Sequence, residues 1–185
     1  ELAIHFELVA DNDLLIYTND ATDPYSNFDR TALLTENQAN MDSVLGSSAY
    51  DIGHVFATVS GGFATLESVC DDTYKARGAS GTSTPNNEQF WLVVAHEFGH
   101  QLGANHSFNG TSGSCGASIR PNSAFEPGSG STIMSYAGIC GDQNLQSHSD
   151  AFFHARSIEQ ISTYIQNGAG SNCGIVAEYI NKTAV

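Results

Sequence analysis

Residues 96–106 read His-Glu-Phe-Gly-His-Gln-Leu-Gly-Ala-Asn-His, and no other segment constrains the chain as much. Helical spacing puts His96 and His100 one turn apart on one face, where two imidazoles can reach one cation. Glu97 is the next residue round, within reach of a water on that cation. Gly103 tolerates the left-handed backbone that ends a helix, so His106 can swing back as a third ligand. Three nitrogen ligands leave one position of a tetrahedral zinc ion open, which suits a catalytic site and not a structural one. With 7 His and 18 Gly among 185 residues, chance gives this pattern in roughly one chain in twenty thousand. A helix that merely happens to carry histidines is therefore set aside.

The flanks agree with a buried helix over about residues 88–102. Phe90-Trp91-Leu92-Val93-Val94-Ala95 is an apolar run, and Phe98 and Leu102 continue it. Asn86 or Asn87 can cap its start, Glu88 suits the positive end of the helix dipole, and Pro85 fits a loop feeding in.

Downstream, residues 132–138 read Thr-Ile-Met-Ser-Tyr-Ala-Gly. Together with the histidine motif this resembles the metzincin metallopeptidases, in which a methionine turn passes beneath the metal. The resemblance implies a secreted zinc-dependent endopeptidase acting on proteins or peptides. It implies His96, His100 and His106 as zinc ligands, Glu97 as general base and Met134 as the turn methionine. It also implies an α/β (α+β) fold. A twisted mixed sheet packs on helices, and an irregular C-terminal subdomain with the methionine turn and a last helix follows the zinc helix.

Within that group, residues 50–56, 74–78 and 126–134 are similar to secreted bacterial enzymes of the reprolysin type (adamalysin-like). Reprolysins usually carry Asp after the third histidine. Here the residue is Ser107, and Ser107-Phe108 is closer to the pappalysin type. Met134-Ser135-Tyr136 matches the Met-x-Tyr pattern of astacins and serralysins. Tyr136 therefore either reaches the metal or the oxyanion, or serves as a packed aromatic on the pocket wall.

The resemblance makes residues 1–185 a single metalloprotease catalytic domain, lacking the usual first strand and first helix of the type. The expectation is a cleaved precursor whose N-terminal fragment stays bound as a partner, because losing a helix would bare core surface. In the active site, substrate is expected to pair with an edge strand near residues 64–68. Residues 136–139 would wall the pocket for the side chain that follows the cut. The alternative function is a catalytically weak, zinc-bearing extracellular binding or adhesion module, against which the presence of Glu97 argues.

Composition narrows the partners. A length of 185 residues, 41% hydrophobic and 14% charged, fits one globular domain with a sizeable core. A formal charge of −14 speaks against nucleic acid and anionic membranes, and favours cationic substrates or calcium. Calcium rests on family analogy, with acids in residues 1–20 and near Cys173 as oxygen donors; there is no EF-hand pattern. No stretch approaches the ~20 apolar residues of a membrane span.

The four cysteines, Cys70, Cys115, Cys140 and Cys173, show no C-x-x-C spacing. An even count in an extracellular type of enzyme points to two disulfides, for which sequence alone allows three pairings. The reprolysin resemblance favours Cys70–Cys173, and Cys115–Cys140 then follows.

For the remaining elements, the pattern predicts strands over residues 3–10, 13–18 and 54–59 and an edge strand over 63–70. It predicts helices over 35–45 and 150–167. Residues 79–87 and 109–130 read as loops, the second long enough to be functional or cross-linked. His5, His54, His148 and His154 lack partners at ligand spacing and read as packed or surface residues. Asn109-Gly110-Thr111 and Asn181-Lys182-Thr183 match glycosylation acceptors.

Overall fold

Asp29 starts the first helix. The computed structural model describes residues 2–84 and 87–177, and α1 spans Arg30–Val44. It begins earlier than its apolar pattern because the Asp29 carboxylate accepts from the N–H groups of Thr31 and Ala32 at 2.9 and 3.1 Å. Those are orphan donors of the first turn. Leu33 and Leu34 bury against Val55 and Ala79 of the sheet. Two polar residues point inward as well. Asn37 Nδ2 donates to the Ala76 carbonyl at 2.7 Å, and the Ala76 N–H donates to Gln38 Oε1 at 2.8 Å.

The sheet has three strands, β1 (Val55–Ala57), β2 (Gly61–Ala64) and β3 (Gly78–Gly81), in the order β1-β3-β2. It is mixed: β1 runs parallel to β3 and β2 antiparallel. The central strand lies where a polar loop was expected. Gly-Ala-Ser-Gly carries no strand propensity, yet all four residues are buried. Their small side chains let the neighbouring strands and the zinc helix approach closely, and that tertiary fit selects the strand.

Three further expectations are corrected. The edge strand is Gly61–Ala64, and not 63–70. The N–H groups of Glu67 and Ser68 instead donate to the carbonyls of His100 and Gln101, each at 3.0 Å, so these residues cap a helix end and do not extend a ladder. The strands expected over 3–10 and 13–18 do not form; Asn12–Leu15 is a 3-10 turn. Among the described residues β1 is paired only through β3, so this segment does not add to the sheet. Its apolar residues are still used: Leu2, Ile4, Val9 and Leu15 pack against core clusters.

Helix α2 spans Glu88–Gln101 and α3 spans Ala155–Asn167. The last helix starts later than predicted, at a cap made by His154, whose Nδ1 accepts from the Arg156 N–H at 3.0 Å. Ile161 and Tyr164 of α3 complete the main core with Val69, Leu102, Ala104, Ile133 and Met134. Tyr164 Oη lies 2.7 Å from the carbonyls of both Glu67 and Val69. The disulfides are Cys70–Cys173 and Cys115–Cys140, with Cα separations of 5.4 and 5.2 Å, as the resemblance implied. Among the described residues no helix is long and apolar enough to cross a membrane.

Candidate metal centre

The geometry of the site starts with how α2 is held at both ends. Asn87 caps its start, its side-chain oxygen accepting from the Gln89 N–H at 2.9 Å; Pro85 and Asn86 lie outside the described residues. At the other end Gly103 takes a positive φ of 101°. Its N–H donates to the His100 carbonyl at 2.9 Å and the Ala104 N–H to the Gly99 carbonyl at 2.8 Å. This is the Schellman pairing, in which a left-handed residue reverses the chain and satisfies the last carbonyls. The reversal returns His106 to the face that carries His96 and His100.

Each of the three imidazoles is pinned by its Nδ1. His96 Nδ1 lies 2.7 Å from the Ile133 carbonyl, His100 Nδ1 2.7 Å from the Ala104 carbonyl and His106 Nδ1 2.7 Å from the Ser118 carbonyl. A carbonyl only accepts, so each Nδ1 carries the hydrogen and each Nε2 keeps a lone pair. The ligand atoms of the three lie within 4.8 Å of one another, and His100 Nε2 is 3.1 Å from His106 Nε2. Facing lone pairs at that distance repel unless a cation sits between them. A tetrahedral zinc with Zn–N bonds of ~2.0–2.1 Å spaces its nitrogens by about 3.3 Å, so the donor set and spacing fit that ion. The pinning carbonyls are the outer partners that usually orient metal-binding histidines.

Burial keeps the rings neutral and ready to bind. It pushes His96 down to about 4, with the neighbouring His106 adding to the effect. His100 is held well below the usual value by burial and by the charges of His96 and His106. His106 is lowered too, chiefly by burial.

Met134 is fully buried and runs directly under the helix: a Cβ placed on Gly99 would collide with its sulfur. The turn that follows supplies Tyr136, whose ring centroid is 4.5 Å from that of His106 and 4.7 Å from that of Phe108. Tyr136 therefore flanks the triad as a packed aromatic and also lines the cleft in front of it.

That cleft has a volume of about 560 Å³, with His96 and Glu97 in its wall, β2 at one side and residues 135–139 at the other. Glu97 is 6% exposed. Burial pushes its carboxyl up to about 8 against the opposing charge of Arg30. Gly62 of β2 sits so close that a Cβ there would meet the Glu97 carboxylate, so the edge strand runs immediately over this residue.

Among the described residues, His96, His100 and His106 form the only group of His, Cys, Asp or Glu close enough to hold an ion. The calcium expectation finds no support. His5 is exposed beside Glu7, His148 is on the cleft wall and His154 is a helix cap. His54 is locked between Gln101 Oε1 and Ser80 Oγ, each at 2.9 Å. Asn109 is exposed, its Oδ1 accepting from the Gly128 N–H at 2.9 Å; the acceptor at Asn181 lies outside the described residues.

Two residues of the site were missed by sequence reasoning. Glu126, the first residue of a segment already noted for its resemblance, braces the methionine turn. Arg30 reaches the cleft from the start of α1, and no local pattern marks it.

A histidine triad at the exit of a helix, over a buried methionine turn and beside a small mixed sheet, defines a metzincin-type zinc metallopeptidase. Residues 1–164 match the metallo-peptidase family M12B, reprolysin-like, and the chain belongs to that family. No curated protein matches the chain.

Proposed function

We propose that the chain is a secreted zinc-dependent endopeptidase, one catalytic domain in which His96, His100 and His106 hold the metal and Glu97 is the general base. The observation that carries this reading is the pinning of three Nδ1 atoms by main-chain carbonyls, which turns three Nε2 lone pairs toward one point. Zinc, when bound there, supplies Lewis acidity that polarises the scissile carbonyl and acidifies a water beside it.

The chain's own residues do the rest. Glu97 takes the proton from the attacking water and returns it to the leaving amine. Its carboxyl lies buried in the cleft wall beside His96, which places it for both halves of that transfer. The free edge of β2, Gly61–Ala64, offers main-chain groups to an extended substrate, in place of the 64–68 stretch expected from sequence. Residues 136–139 wall the pocket for the side chain after the cut. Two disulfides suit an oxidising, extracellular compartment.

The test is cleavage of quenched peptides with and without a zinc chelator, alongside Glu97→Ala with its zinc content measured. Chelation should abolish cleavage. Glu97→Ala should keep the metal and lose at least two to four orders of magnitude in rate, roughly the range for a positioned general base. Full cleavage in chelator, or parental rates in Glu97→Ala, would refute the assignment. Zinc held in stoichiometric amount with no cleavage of any peptide would favour a binding or adhesion module.

A further inference from the structure

Arg30 occupies a position that its own helix disfavours. It is the first residue of α1, at the end where the helix dipole is positive and a cation is unfavourable. The carboxylate nearest in sequence, Asp29, is committed to the N–H groups of Thr31 and Ala32. Glu36, nearly two turns further on, is engaged by the backbone and hydroxyl of Ser26 at 2.7 and 2.6 Å. Arg30 forms no ion pair with any described residue, whereas Lys75 and Arg156 each have an acidic partner. The side chain is exposed and runs past β2: its Nη1 lies 3.1 Å from where a Cβ on Gly61 would sit. There it lines the same cleft as Glu97, Tyr136 and Ile139.

The cleft is electrostatically unlike the rest of the molecule. The chain carries 20 acids against 6 bases, yet among the described residues Glu97, largely buried, is the only acid in the cleft wall. The Debye length is about 8 Å at physiological salt, so distant surface acids are screened and local charge decides what enters. The −14 total had suggested cationic substrates; inside the cleft one exposed cation, Arg30, stands against one buried acid, Glu97. A guanidinium with free N–H donors matches a carboxylate in two parallel hydrogen bonds, a geometry that lysine does not reproduce.

We propose that Arg30 is a specificity-determining residue that selects substrates with an acidic side chain, Asp or Glu, on the residue following the scissile bond. This rests on the peptidase reading above. Arg30 recognises the substrate carboxylate at the cleft mouth while the wall from Tyr136 to Ile139 contains the side chain.

The experiment uses zinc-loaded protein and quenched peptides that differ only in the residue after the cut: Asp, Glu, Asn, Gln, Leu or Lys. All are amidated at the C-terminus, so the side chain is the only carboxylate on that side. The parent should prefer Asp over Asn and Glu over Gln by about tenfold in kcat/KM, the scale of a partly exposed charge-assisted pair. Arg30→Gln should bring both ratios close to one, and Arg30→Glu should turn the preference towards Lys. The melting temperature of Arg30→Gln should stay level or rise, since a misplaced helix charge is removed. No acid preference in the parent, or ratios that survive Arg30→Gln, would overturn the proposal. So would a pH profile that shifts equally for all substrates in Arg30→Gln with the ratios intact, because Arg30 would then act only on Glu97.

A second readout needs no turnover. Short amidated peptides beginning with Asp or Asn, titrated calorimetrically into parent and Arg30→Gln, should show the same Arg30-dependent discrimination. If that discrimination is present but no peptide is cut, the peptidase reading fails and Arg30 is left as a carboxylate-binding residue of the cleft. Equal binding of the two peptides by the parent sinks the inference alone.

Discussion

Thr132 Oγ1 donates to the Glu126 carboxylate at 2.6 Å, and through this bond the methionine turn is tied to the chain that carries the third histidine. The same carboxylate accepts from the Ser107 hydroxyl and from the N–H groups of Ser131 and Thr132, the latter two at 2.8 and 3.1 Å. Ser107 follows His106, and its own N–H donates to the Met134 carbonyl at 3.1 Å. Burial pushes the Glu126 carboxyl up, but its hydrogen bonds, from Ser107 and Thr132 foremost, outweigh burial and hold it below the usual range.

Glu126→Gln should therefore weaken both the fold and the metal site. An amide NH₂ would face donors that now meet oxygen, at a cost of about 1–3 kcal/mol for the group left unsatisfied. Zinc affinity should fall by about 10–100-fold, as when other partners that orient metal ligands are removed. Competition with a chromogenic chelator measures this without reference to turnover. Unchanged affinity would mean that Glu126 braces the loop without setting the third ligand.

Gly99→Ala tests the contact between α2 and the methionine turn. Alanine is the better helix former by about 1 kcal/mol, so propensity alone predicts a more stable protein. The Met134 sulfur occupies the space the new methyl needs, and overpacking of a tight core costs about 1–3 kcal/mol. The net expectation is a lower melting temperature. Gly99→Ala should cost less in a Met134→Ala background than in the parent, although Met134→Ala is itself destabilising, and a double-mutant cycle of melting temperatures reads this directly.

The metal site was far more legible in the sequence than the sheet around it. Helical period fixes where His96 and His100 point, and Gly103 announces the reversal that returns His106, so three ligand positions follow from local rules. Gly78–Gly81 obeys no local rule. Its strand conformation depends on β1 and β2, which close on it from distant parts of the chain, and its small residues become informative only once their neighbours are known. Glu126 and Arg30 were hidden for the same reason. One acts on a turn and a loop together, and the other reaches the cleft from a helix start far from the histidine motif.

Removing the Cys115–Cys140 bridge should loosen the loop that holds His106. The bridge spans 25 residues, which in the chain-entropy picture corresponds to about 3.5 kcal/mol. Both sulfurs lie in a buried cluster with Phe108, beside Tyr136, so the loss is felt next to the third histidine. A Cys115→Ser/Cys140→Ser protein should unfold at lower denaturant and bind zinc more weakly. Removing Cys70–Cys173, which ties the tail beside α3, should lower stability with a smaller effect on zinc. Equal losses of zinc affinity in the two variants would contradict this division.

His54 gives the protein an acid sensitivity separate from its metal. The ring stacks on Phe98 with centroids 4.7 Å apart. It bonds Gln101 through Nδ1 and Ser80 through Nε2. The Gln101 Nε2 donates to the Gly53 carbonyl at 3.1 Å, which leaves its oxygen for His54; Nδ1 carries the hydrogen and the ring is neutral. Burial pushes its pKa down from 6.5 to about 4, the Gln101 bond opposing. Between those two values the unfolded chain binds the extra proton and the folded one does not, so stability is full above pH 6.5 and falls as the pH drops towards 4. The loss from this residue reaches about 1–3 kcal/mol. Urea unfolding of the parent and of His54→Gln, both zinc-free, at a series of pH values from 7 to 4 isolates it, because the three metal-site histidines titrate in both. The variant should show a shallower decline; parallel curves would mean that His54 titrates normally in the folded protein.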